Sequence, residues 1–204
     1  LYQSLWTDEP MVHILPHWTH PGKEGVKIPI VAYTNCKFVE LFFNGKSLGE
    51  KPLGEDLQIV WQVPYQPGTL RAVARNEEGF ILAETTRKTA GVPSGVDVIA
   101  NKTMLRPNRQ DTSILEVTIV DSNGVMVPDA DNLVTFHVEG PGKLIGVENG
   151  DVLDLEPTKF VNNRKVFKGK CIGIIQATEK NGEIKVTVSS DNLKSGSILI
   201  TSRA

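Results

Sequence analysis

The 204-residue chain is 40% hydrophobic and 23% charged, with 22 Lys and Arg against 24 Asp and Glu, a net charge of -2. That balance excludes a disordered tail and leaves no electrostatic footprint for nucleic acid or an anionic lipid surface, and no apolar run approaches the roughly 20 residues needed to cross a bilayer. The length suits two domains of roughly 100 residues each.

The chain opens at Leu1 with neither a basic start nor an apolar signal core, as expected of a piece that begins in mid-protein. Any export signal would then lie upstream, so a periplasmic or extracellular compartment for the parent stays open. Residues 26–33 read as the first strand, with Pro29 favouring a sheet edge or a bulge. Residues 38–43 follow, with Val39, Leu41 and Phe43 on one face. Asn44-Gly45 then turns them into residues 46–51, since Asn-Gly between apolar alternations is a strong hairpin signal. Residues 57–63 carry Leu57, Ile59, Trp61 and Val63 on one face, and residues 69–75 and 80–86 complete a second hairpin. About six strands within the first 90 residues suggest an immunoglobulin-like or fibronectin-like sandwich.

Residues 90–95 concentrate Gly, Pro and Ser and are the expected linker. Beyond them, strands are expected at 96–100, 114–121, 125–127, 133–139, 143–147, 164–167, 171–177, 184–189 and 197–202. Asn123-Gly124 and Asn181-Gly182 serve as turns. No amphipathic helix of ten or more residues is expected. The fold class is therefore all-β, two tandem immunoglobulin-like β-sandwiches: residues 1–92, including a leading segment, and residues 93–204. Cys36 and Cys171 fall in different domains, so no disulfide is expected, and each reads as a small buried hydrophobe.

Three groups of residues raise the question of chemistry. His13, His17 and His20 would share one face of a helix and could hold a metal, but Pro16 and Pro21 oppose that helix. His17 and Trp18 are the candidates for contacting carbohydrate, because flat rings stack on the apolar faces of sugars. Asp129, Asp131, Asp151 and Asp154, with Asn132, Asn149 and Glu156, offer oxygen ligands in short loops. They are the calcium candidates, although Asp and Asn at turns have a backbone-bonding reason of their own. The adjacent pairs Asp8-Glu9 and Glu77-Glu78 point to opposite faces or lie at a turn, and no catalytic machinery, metal site or cofactor is expected.

Longer strings carry a resemblance. Pro16-His17-Trp18, Pro21-Gly22-Lys23-Glu24-Gly25, Tyr33-Thr34-Asn35-Cys36 and Asn44-Gly45-Lys46-Ser47-Leu48-Gly49 stand in the first half, as does Trp61-Gln62-Val63-Pro64-Tyr65. Together they resemble a domain that follows the catalytic barrel in glycoside hydrolase family 2 proteins of the β-galactosidase type. Val127-Pro128-Asp129-Ala130-Asp131-Asn132, Val138-Glu139-Gly140-Pro141-Gly142 and Asn149-Gly150-Asp151 are similar to the immunoglobulin-like C-terminal domain of the same enzymes. Tyr2-Gln3-Ser4-Leu5-Trp6 is similar to the segment where that barrel ends. The resemblance implies a retaining β-glycosidase whose acid/base and nucleophile glutamates lie upstream of Leu1, so none is carried over. One departure stands out: where the family often has Ser-His-Glu-Pro, this chain has Asp154-Leu155-Glu156-Pro157. The expected function is that of a non-catalytic C-terminal region supporting an upstream barrel or the rim of its active site, through the segment from Trp6 to Trp18. The alternatives are a carbohydrate-binding module using Trp18 or Trp61, and an adhesion-type surface sandwich.

Overall fold

The computed structural model describes all 204 residues, which divide into two compact units, Leu1–Thr89 and Ala90–Ala204. Both are built almost wholly of strands.

The first unit begins with a single helical turn, α1 (Tyr2–Trp6), and continues through β1 (Val12–Leu15), β2 (Lys27–Thr34), β3 (Phe38–Phe43) and β4 (Lys46–Pro52) to β5 (Ile59–Pro64), β6 (Thr69–Arg75) and β7 (Ile81–Lys88). They form a three-stranded sheet ordered β1-β2-β5 and a four-stranded sheet ordered β4-β3-β6-β7. Alternation fixes which residues enter the core: Ile28, Ile30 and Ala32 of β2 and Ile59, Trp61 and Val63 of β5 point inward, as do Val39 and Leu41 of β3 and Leu70, Ala72 and Ala74 of β6. Each large aliphatic buried this way contributes roughly 1.5–3 kcal/mol. At the β3–β4 turn both Asn44 (φ 47°) and Gly45 (φ 82°) adopt positive φ, the combination a two-residue hairpin turn requires.

Three expectations shift. Residues 12–15, which lie ahead of the first expected strand, form β1, which pairs with β2 from Val12↔Thr34 to Leu15↔Val31. Pro29 lies on the central strand of its sheet, but the pairing with β1 ends at Leu15↔Val31, so on that side Pro29 borders no strand and its missing N–H breaks no ladder. Leu57 is exposed in a turn at φ 56° and does not join the inward row of β5.

The second unit contains β8 (Gly95–Ala100), β9 (Met104–Leu105), β10 (Thr112–Val120), β11 (Leu133–Glu139) and β12 (Gly142–Glu148), then β13 (Asn163–Lys165), β14 (Lys170–Ala177), β15 (Gly182–Ser190) and β16 (Gly196–Ser202). One sheet is ordered β12-β14-β10-β8 and the other β13-β11-β15-β16-β9, with only β9 and β16 parallel among their pairs. Leu115, Val117 and Ile119 of β10 and Cys171, Ile175 and Ala177 of β14 share one buried cluster with Val134 and Phe136 of β11 and Ile184, Val186 and Val188 of β15. Residues 125–127, expected as a strand, contribute a single bridge, Val120↔Met126. Cys36 and Cys171 are both free and buried.

Candidate functional site

In the first unit, the segment carrying the histidines and Trp18 is not helical, so its side chains diverge. His13 projects from β1, where Arg87 Nη2 lies 3.2 Å from its Nδ1. Partial burial, followed by the Arg87 charge, holds the His13 imidazole below the usual histidine range. His17 and His20 instead stack ring on ring, centroids 4.6 Å apart. The three imidazoles therefore do not converge, and no group of three His, Cys, Asp or Glu side chains is placed to hold a metal ion.

Trp18 has 0% of its surface exposed. Its Nε1–H donates to the Gln66 carbonyl at 3.0 Å, and its ring packs edge-on against Tyr65 with centroids 5.0 Å apart. Thr89 Oγ1 donates to the Trp18 carbonyl at 2.6 Å, fastening the end of the unit to this residue. No face of Trp18 is left for a sugar, because the ring fills the core of its own unit. Trp61 is likewise inside, its Nε1–H donating to the Gly49 carbonyl at 3.2 Å. The exposed tryptophan is Trp6, on α1, tilted against Tyr2 with ring centroids 5.2 Å apart.

In the second unit three of the four calcium candidates, Asp131, Asp151 and Asp154, line one cleft of about 310 Å³ together with Asn149, Glu156 and Lys165, whereas Asp129 does not line it. Each already has at least one oxygen engaged. Asp131 pairs with Lys165 Nζ at 2.9 Å, and Asp151 Oδ1 accepts the Leu153 N–H at 3.0 Å. Asp154 Oδ1 accepts the Glu156 N–H at 2.9 Å, while its Oδ2 accepts from Asn149 Nδ2 and Arg164 Nη1, both at 2.8 Å. The Glu156 N–H, then Arg164 and Asn149, hold the Asp154 carboxyl below the usual range, and the Lys165 ammonium does the same for Asp131.

Arg164 organises this cleft, and sequence reasoning passed over it. Its side chain is 1% exposed, and besides Asp154 it donates from Nη2 to the Pro157 carbonyl at 2.7 Å. The available signal was alternation: Arg164 and Val166 fall on the same, inward face, and an arginine on such a face demands a buried acceptor. Asp154 is that acceptor.

Elsewhere the displaced carboxyls move the same way. The Lys102 ammonium holds Asp111 low and the Gly91 N–H holds Asp121 low. No carboxyl with a displaced titration is held as an acid, the property that cleavage of a glycosidic bond asks of one member of its pair.

Comparison with known proteins adds the wider setting. Residues 96–199 match the family described as glycoside hydrolase family 2 C-terminal domain 5, and residues 25–83 match a domain of unknown function, DUF4982. The β-galactosidase BoGH2A of Bacteroides ovatus is 40% identical over 204 residues, covering 98% of this chain and 23% of that protein. A putative β-glucuronidase of Formosa agariphila is 36% identical over 193 residues, 93% of this chain and 19% of its own length. Among solved structures, a β-glycosidase from Bacteroides vulgatus superposes with a TM-score of 0.94 at 42% identity, over 98% of this chain and 26% of that one. The chain thus spans about a quarter or less of the length of these relatives.

Proposed function

Since this chain belongs to glycoside hydrolase family 2, its second unit matching that family's C-terminal domain 5, we propose that it is the accessory, non-catalytic end of a longer β-glycosidase. In this reading the two sandwiches, with the domain limits expected from the sequence at 1–92 and 93–204, stabilise a catalytic barrel that precedes them in the same polypeptide. The observation that carries the reading is a contrast. The chain aligns over 98% of its length with a protein roughly four times as long, yet in its own cleft Asp131 and Asp154 are spent on Lys165 and Arg164, which hold both carboxyls below the usual range. The parent's substrate follows the names of the relatives, a β-galactoside or a β-glucuronide.

The test is hydrolysis of chromogenic β-galactosides and β-glucuronides by the 204-residue chain and by the longer polypeptide that contains it. The longer polypeptide is expected to turn over one of the two substrates and the chain alone neither; turnover by the chain above a blank would overturn the proposal.

A second reading, carbohydrate binding, draws on the exposed Tyr2 and Trp6 rings, because Trp18 and Trp61 are inside. Retention of the chain on a galactoside affinity gel, abolished by Trp6→Ala, would support it.

A further inference from the structure

The loop between β12 and β13, residues 149–162, combines two properties that an ordinary surface loop does not. Its backbone is fastened at several points. Val147 N–H donates to the Thr158 carbonyl at 2.9 Å and Phe136 N–H to the Asn162 carbonyl at 2.7 Å, while Asn149 Nδ2 bridges Asp154 and the Lys165 carbonyl. The buried Arg164 clamps the middle through Asp154 and Pro157. Yet this fixed loop holds its apolar side chains in water: Val152 is 92% exposed, Leu153 83%, Leu155 95%, and Phe160 fully. Phe160 stands in water on a left-handed backbone (φ 64°), a conformation that bulky residues rarely adopt, while its neighbour Val161 packs inward. A charge is taken out of solvent to hold in one shape a surface that solvent disfavours, as expected of a contact surface.

We infer that the loop 149–162 is a docking element whose occupant is an apolar surface of the same longer polypeptide, outside these 204 residues. This rests on the accessory reading above. Two observations select that occupant. First, more than three quarters of the related β-galactosidase lies outside the matched region, so a covalently attached partner of ample size is at hand. Second, four side chains offer on the order of 500 Å², short of the ~800 Å² per partner typical of a stable free complex. Such a patch suffices when both surfaces belong to one chain, because the linkage supplies a high effective concentration. The apolar side chains call for an apolar occupant, and Arg164, Lys165, Asp131 and Asp154 ask no charge of it, since they already have partners.

The test is hydroxyl-radical footprinting of Leu153, Leu155 and Phe160 in the 204-residue chain and in the full polypeptide. Passing from more than four-fifths exposed to buried, their labelling is expected to fall roughly tenfold in the full polypeptide. Equal labelling of the loop while other faces of the chain become protected overturns the docking role and leaves the accessory reading intact. If no face becomes protected, the accessory reading fails as well. Protection that appears in the 204-residue chain alone as its concentration rises, or only on adding galacto-oligosaccharide, overturns the inference by assigning the patch to a second copy or to a sugar. As an independent check, the double variant Leu155→Ser, Phe160→Ser is expected to lower the Tm of the full polypeptide by about 2–4 °C and to leave that of the 204-residue chain unchanged. No shift in either overturns it.

Discussion

Asp121 shows how much a single carboxylate decides near the start of the second unit. It is 4% exposed and accepts three backbone N–H bonds, from Gly91 at 2.7 Å, Asn123 at 2.8 Å and Val125 at 2.9 Å. The Gly91 bond leads in holding its carboxyl below the ordinary value of 3.8. The folded state thus prefers the ionised form: the stabilisation is complete above the unfolded value and disappears as pH falls through the folded one. Asp121→Asn is accordingly expected to be less stable than the parent at pH 7 by about 1–3 kcal/mol, with the difference shrinking below about pH 4. Urea midpoints at pH 7 and pH 3 check both statements. Trp18 makes the opposite kind of contribution, apolar bulk with one hydrogen bond. Trp18→Ala is expected to cost roughly 3–5 kcal/mol in a denaturant titration, a loss that an exposed sugar platform would not show.

At the scale of elements, the strands were legible because alternation and turn chemistry are local. β3, β6 and β11 occupy the residues their patterns indicate, and Asn44-Gly45 makes the turn its dipeptide implies. β1 escaped because four residues beside Pro16 offer too short a period, and β9, at two residues, offers none. Arg164 was legible as part of a strand but not as a clamp, since its partner Asp154 lies across the loop it holds. Close packing of elements shows at Gly173 on β14, where an added Cβ would come 2.5 Å from the Phe136 ring. Gly173→Ala is therefore expected to destabilise the unit by about 1–3 kcal/mol. Gly54→Ala, with nothing within 4 Å of the added carbon, is the neutral control in the same thermal melts.

For the whole molecule, the two thiols report independently on the two cores. Cys36 and Cys171 are buried in separate units, and burial pushes the Cys171 thiol up to about 12 despite the nearby Arg164 charge. At pH 8 the native chain is expected to leave Cys171 unlabelled by a disulfide reagent, and denaturant to expose both thiols; rapid native labelling of Cys171 would contradict the packing described. By itself the sequence determined the all-β class, most of the strands and the resemblance to a glycoside hydrolase family, because period-two alternation and Asn-Gly turns act between neighbours and family strings are contiguous. Only the tertiary structure decided which rings and charges face water. Trp18 is core because Phe43, Tyr65, Gln66 and Thr89, distant along the chain, close around it. Asp154 is the counter-ion of a buried arginine and Leu155 an exposed side chain, although the two are adjacent in sequence, because burial is set by what the rest of the fold brings to each side of the loop.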